Sequence, residues 1–408
     1  PPKAALGLTP QEQARRRRLD ADLVLVNQRY DAFVNELSQD FAAAGARRAE
    51  ALGARQLRNL VVVQDLLAEF GRDTALLHYV VADKRVAIIM TTADVQVGRE
   101  TRITAAELNR KVLAFRQALA ARTDVMAAAS DLYRLLLGPV EADLRQAGAR
   151  TLLLSLDGTL RYLPFAALHD GHGWLAERYA LALYTEAARV QLARAPRRQW
   201  TMTGLGLTRS VPGFAALPAV QEELEGLRRR ALPGDVFLDE QFTADRLRDA
   251  LASARPVMHI ASHFQFRPGT YAQSFLVLGD GTRLSLQDIR DRRLRFANVD
   301  LLTLSACDTA MGGGADETGA EVEGFGALAQ QQGAAAVLAT LWPVADGSTS
   351  RFMQIFYGRR RADPAVSKAQ ALQQAQIAFI RSPSGGKADR RFVHPFYWAA
   401  YVLMGNWR

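Results

Sequence analysis

Six short runs in the second half of the chain are apolar along nearly their whole length, and amphipathic segments separate most of them. The runs are Thr201 to Leu207, Asp235 to Leu238, Val257 to Ser262, Val299 to Ser305, Ala335 to Thr340 and Trp398 to Met404. A strand without a polar face must be covered on both sides, which an alternating β/α chain achieves with helices. Helices are expected at Leu217 to Arg230, Thr243 to Ala254, Leu286 to Arg293, Glu321 to Gln332, Gly347 to Arg361 and Pro364 to Ile380. The fold class is therefore α/β, a mostly parallel sheet sandwiched by helices. Ser274 to Leu278 reads as a small edge hairpin.

The first half changes period twice. Residues 10 to 70 are rich in Ala, Leu and Arg, and Leu23, Val26, Tyr30, Phe33, Val34 and Leu37 recur at three- and four-residue steps, one face of a long helix. A second helix is expected over Arg48 to Phe70. From Thr74 the pattern is β-rich: Leu76 to Ala82 and Val86 to Thr92 flank Asp83-Lys84-Arg85 as a hairpin. Thr104 caps a helix to about Ala121, and Ser130 opens another through Leu144. Thr151 to Leu156 and Ala180 to Tyr184 are further strands, and the polar stretch Ala195 to Gln199 closes this half. The boundaries divide the chain into a helical extension (1–73), a first α/β half (74–195) and a second (196–408).

No window approaches 18 consecutive apolar residues, so no transmembrane helix is expected. The formal charge of +9 raises nucleic acid as a partner, but only five of the 51 basic residues are lysines and the arginines are scattered. No aromatic-plus-basic platform accompanies them, which argues against that partner. One cysteine excludes an intrachain disulfide and fits a reducing, cytoplasmic compartment. The chain begins at Pro1 without methionine or a signal-peptide pattern, as an excised fragment would.

In open parallel sheets, ligands sit beyond the carboxyl ends of the strands. The strand from Pro256 to Ser262 delivers His263 to that edge, and the strand from Val299 to Ser305 delivers Ala306-Cys307-Asp308. A lone cysteine is more often an inert core residue. Its place at a strand exit, and not inside an apolar run, favours a reactive thiol. A neighbouring imidazole would raise the small thiolate fraction of an ordinary thiol or take its proton during attack. Acyl transfer also needs oxyanion donors, which the backbone N–H groups of Cys307 and of the residue after His263 would supply if the two strand ends are adjacent. A third, orienting group is not evident.

His259 and His263 have HxxxH spacing, but on a strand and without a third ligand, so no metal or other cofactor is expected. His259 reads as a buried, hydrogen-bonded strand residue, and His169, His172 and His394 as structural or exposed. The Gly-rich, acidic loop Met311 to Gly319 lacks the GK[ST] ending of a phosphate loop and reads as a substrate-covering or activation loop.

Leu304-Ser305-Ala306-Cys307-Asp308-Thr309-Ala310 resembles the nucleophile motif of CHAT domains, and His259-Ile260-Ala261-Ser262-His263 their histidine motif. Blocks at Gly333 to Val337, Leu341 to Asp346, Pro395 to Ala400, Leu132 to Leu136 and Arg161 to Leu168 are similar too, so the resemblance runs from about Thr74 to the C-terminus. It implies a caspase-like cysteine endopeptidase, related to caspases and separase. The implied chemistry is a Cys307–His263 dyad, a thioester acyl-enzyme, and an inactive caspase-like half (74–195) packed on the active one. It also implies a protein or peptide substrate. The fragment-like start, the helical N-terminus and the Gly-rich loop point separately to regulation by an upstream sensor region, or by a partner acting through the N-terminal helices. The histidine of such motifs is commonly followed by Gly. Phe264 stands there instead, offering an N–H but adding bulk, and this keeps open a non-catalytic interaction scaffold. By resemblance to separase, Asp346 would sit at the base of the S1 pocket and pair with a basic P1 side chain, with Trp342 and Asp308 also at the substrate. Asp346 could equally cap the helix beginning at Gly347, and Asp308 could hydrogen-bond its own loop.

Overall fold

A computed structural model describes residues 63–69 and 71–408, apart from 254, 266–271, 293, 306–319, 343, 345 and 383–390, together with 11, 14, 15, 18 and 32; of 320–325, 346 and 391 it describes the backbone alone. The first half supplies strands β1 (Thr74–Val81), β2 (Arg85–Thr91), β3 (Gln96–Arg102), β4 (Thr151–Ser155) and β5 (Ala180–Leu183). The second supplies β6 (Met202–Gly206), β7 (Gly234–Leu238), β8 (Val257–Ala261), β9 (Phe264–Gln265), β10 (Phe275–Val277), β11 (Arg283–Ser285), β12 (Leu301–Leu304), β13 (Ala336–Thr340) and β14 (Tyr401–Gly405). Eleven of these strands form one sheet in the order β3-β2-β1-β4-β5-β14-β13-β12-β8-β6-β7. Only β1–β2, β2–β3 and β13–β14 are antiparallel within it. The expected mostly parallel sheet flanked by helices is thus the observed architecture.

The longer helices are α1 (Ala105–Ala121), α2 (Met126–Leu136), α3 (Ala219–Arg230), α4 (Ala244–Ala252), α5 (Ala320–Gln331), α6 (Asp346–Ala362) and α7 (Lys368–Ile380). The Thr104 hydroxyl accepts from Glu107 N–H and caps α1 as its sequence position requires. In α3, Val220, Glu223, Leu224 and Leu227 are buried, the i, i+3, i+4, i+7 stripe of an amphipathic helix. That stripe packs on β6 because Gly206 has no side chain: a Cβ there would lie 2.6 Å from Val220 Cγ1 and 2.8 Å from Leu224 Cδ1. Burying each of the three aliphatic side chains contributes about 1.5–3 kcal/mol. α3 also packs against α6.

Three local expectations are revised. β3 extends the β1–β2 hairpin although only one of its residues is buried, since pairing with β2 over seven residues suffices to order a polar edge strand. α2 begins at Met126, four residues before Ser130, and ends at Leu136, where Gly138-Pro139 turn the chain through a 3-10 segment before a separate short helix, Glu141–Gln146. β10 is the centre of a separate three-stranded sheet, β11-β10-β9, and not half of a lone hairpin. Of the two expected N-terminal helices, 63–69 is helical and buries Val63 and Leu67; nearly all the rest lies outside the described residues. The two halves meet where β14 runs parallel to β5, with Met404 beside Leu183, and α7 packs across that seam.

Candidate active site

From β6 the chain steps to β7, towards one edge of the sheet, and from β8 it goes on to β12, towards the other. The carboxyl ends of β6 and β8 therefore flank a topological switch point, where diverging connections open a crevice. Beside it, β8 and β12 run parallel in tight register: Leu301 pairs with Val257, Thr303 with His259 and Leu304 with Ile260. The Ser305 N–H donates to the Ile260 carbonyl at 2.9 Å and carries the ladder one residue past β12. Cys307, Asp308 and the loop Met311 to Gly319 lie outside the described residues.

His263 stands just beyond β8 and is partly exposed. Its Nε2 is 2.8 Å from the Ala215 carbonyl oxygen. A carbonyl only accepts, so Nε2 carries the proton and Nδ1 is left as the ring's acceptor. The Phe214 ring lies 5.0 Å from the imidazole at 37° and packs edge-on to Phe275 at 6.2 Å. Val211 and Phe214 bond each other through both backbone groups, 3.2 and 2.9 Å, in a turn for which Gly213 supplies φ +85°. The backbone of His263 is held from the other side. Val277 N–H donates to the His263 carbonyl at 2.9 Å, and the buried Ser262 hydroxyl donates to the Val277 carbonyl at 2.5 Å. The Ala215 carbonyl thus orients the His263 ring, a contact that the sequence did not reveal. A backbone carbonyl on a loop leaves no residue-type signal to find.

Phe264 enters β9 opposite Leu276, with its side chain 2% exposed in the core. Because the neighbouring His263–Val277 pair is hydrogen-bonded, the 264–276 pair is of the non-hydrogen-bonded kind, and the Phe264 N–H points away from β10. The bulk that replaces the usual glycine is therefore absorbed by the core. Trp342, just past β13, is 8% exposed; it donates its indole N–H to the Phe396 carbonyl at 3.0 Å and stacks on the Phe396 ring. α6 begins at Asp346 itself, one residue earlier than the sequence pattern indicated.

A polar network lies between the sheet and the packed helices α3 and α6. His259 is fully buried, as its strand position implied, with Nε2 3.0 Å from Glu223 Oε1 and Nδ1 3.1 Å from the Tyr357 hydroxyl. That hydroxyl is 2.6 Å from Thr303 Oγ1. The second oxygen of Glu223, itself 5% exposed, accepts from Ser305 Oγ at 3.3 Å. Burial pushes the Tyr357 phenol well above its ordinary pKa and keeps it a neutral donor. Glu223 was not singled out in the sequence, because it sits among charged residues of α3 that otherwise face water.

A mostly parallel sheet with the histidine at its switch point and a second strand exit beside it defines a caspase-like α/β fold. A chain of the Saccharomyces cerevisiae separase–securin complex shares it: the two are 9% identical, with a TM-score of 0.54, over 85% of this chain and 30% of that one. The model of the CHAT domain matches residues 126–406, so the protein belongs to the CHAT domain family. It is 24% identical over 338 residues to human tetratricopeptide repeat protein 28, and 23% identical over 333 residues to the mouse protein of that name. Each match covers 67% of this chain but only 13% of the relative's length. Among the described residues no helix is long and apolar enough to cross a membrane.

Proposed function

We propose that this chain is a cysteine endopeptidase acting through Cys307 and His263. The observation that carries the reading is the β8–β12 register: it pairs Val257 to Ile260 with the residues 44 positions later in β12, and positions 263 and 307 differ by the same 44. In this reading Nδ1 of His263, free because Nε2 is committed to Ala215, takes the thiol proton. The thiolate attacks the scissile carbonyl, and the N–H groups of Cys307 and Phe264 stabilise the oxyanion. Collapse breaks the C–N bond and His263 returns the proton to the leaving amine. Water then attacks the thioester with the same imidazole as base, and the C–S bond breaks to release the acid and restore the Cys307 thiol.

Asp346 is proposed to select a basic P1 side chain. Trp342 and Asp308 are proposed to border the substrate, Trp342 through the small edge it exposes. The 74–195 half is proposed as the inactive half of the caspase-like pair. Because the matched relatives are far longer and are named for tetratricopeptide repeats, control by an upstream region or partner belongs to the same proposal. The second reading, an interaction scaffold without turnover, is favoured only by Phe264 in the place of glycine. Cleavage of a peptide library tests both. Cuts after Arg or Lys that vanish in Cys307→Ala support the peptidase, whereas an uncut library, or cuts that persist in the variant, contradicts it.

A further inference from the structure

The His259–Thr303 pair lies within the β8–β12 ladder, just below both strand exits, and all of its polar atoms that enter the network are engaged from the helices beneath. A consistent proton assignment runs through the cluster. Thr303 donates to Tyr357, Tyr357 donates to His259 Nδ1, and His259 Nε2–H and the Ser305 hydroxyl both donate to Glu223. The carboxylate thus ends the chain by accepting from His259 within β8, four before His263, and from Ser305, the first residue past β12 and two before Cys307. Burying a carboxylate costs several kcal/mol, and an apolar side chain of the same shape would hold α3 to the sheet at least as well. What the carboxylate adds is a directional tie between two strand exits.

We infer that Glu223 is a positioning residue for the reaction: oriented by His259, it fixes Ser305 and so sets the exit of β12 against that of β8. This rests on the peptidase reading above. Glu223 touches no substrate in this role and acts through Ser305 alone.

The protein has a single cysteine, so alkylation by iodoacetamide reports on Cys307 without interference. At roughly pH 6 an unassisted thiol is almost wholly protonated, and rapid labelling requires the dyad. Wild type is expected to label faster than His263→Ala by at least about tenfold. Ser305→Ala is expected to lose about tenfold of the His263-dependent rate without a matching loss of thermal stability, and Ser305→Thr, which restores a hydroxyl, to recover most of it. Glu223→Gln, which turns one acceptor oxygen into a donor, is expected to slow labelling comparably. Combined with Ser305→Ala it should be no slower than the worse single variant, since both break one link. Labelling of Ser305→Ala at the wild-type rate, or additive losses in the double variant, would overturn the inference while leaving the peptidase reading intact. Equal rates for wild type and His263→Ala would remove the peptidase reading and this inference with it. Should Glu223→Gln fail to fold, the Ser305 pair decides alone.

Discussion

Leu304 of β12 lies beside Ile260 of β8 in parallel register, so the two strands end side by side, three sequence positions before residues 307 and 263 respectively. Adjacent strand exits at a switch point open one crevice to segments from distant sequence positions. The orientation of the imidazole is then set by neighbours that the strands themselves do not supply.

The first expectation concerns that orientation. Phe214 packs on the His263 ring and leads directly into Ala215, whose carbonyl takes the Nε2 proton. Phe214→Ala should lower kcat about tenfold with little change in KM, because the base is misaligned while the substrate contacts persist. Phe214→Tyr should retain most of the activity. Steady-state kinetics on a cleaved peptide checks both.

Stability should depend on pH through His78. This residue is buried between β1 and β4 with Nδ1 2.8 Å from Ser155 Oγ, and burial, only partly offset by Asp157, lowers its pKa from 6.5 to about 4. Between those values the unfolded chain binds a proton that the native one refuses. Stability is therefore full above pH 6.5 and falls as the pH drops towards about 4, by up to about 3 kcal/mol at about 1.4 kcal/mol per unit. Urea unfolding of wild type and His78→Gln at neutral and acidic pH measures it; the variant should show a flatter profile.

Lys368, the first residue of α7, is fully buried with Nζ 3.2 Å from Asp300 Oδ1, and Trp200 Nε1–H donates to the other oxygen at 3.0 Å. Burial lowers the lysine pKa to about 8 against the pull of Asp300. Lys368→Met would strand the carboxylate and should cost about 3–5 kcal/mol, whereas adding Asp300→Leu should return much of the loss. Denaturant midpoints of the single and double variants give the comparison.

The approach of α3 to β6 depends on Gly206. Gly206→Val should destabilise the protein by about 1–3 kcal/mol, because three aliphatic groups already occupy the space its side chain would need. It should also slow thiol labelling, since the displaced helix carries Glu223.

Much of the fold was legible because apolar runs fully buried on both faces leave a strong signal. The strands ending near Ser262 and Ser305 were placed within a residue or three of β8 and β12, and that alone located His263 at the edge. β3 escaped notice because Gln96–Arg102 is mostly polar and only one of its residues is buried, and α2 because Ser130 resembles a cap while Val125, with no capping side chain, stands at the true start. The Ala215 carbonyl could not be found from residue types at all. Glu223 could have been: a carboxylate in register with Val220, Leu224 and Leu227 lies on the buried stripe, and a charge there requires a partner.

The most direct test of the dyad is covalent labelling by a peptidyl chloromethyl ketone with a basic P1 residue, followed by intact mass. Wild type should gain one inhibitor mass per chain, located at Cys307, and His263→Ala should react at least about a hundredfold more slowly. Labelling of both proteins at one rate, or none in the wild type, would contradict a Cys307–His263 dyad.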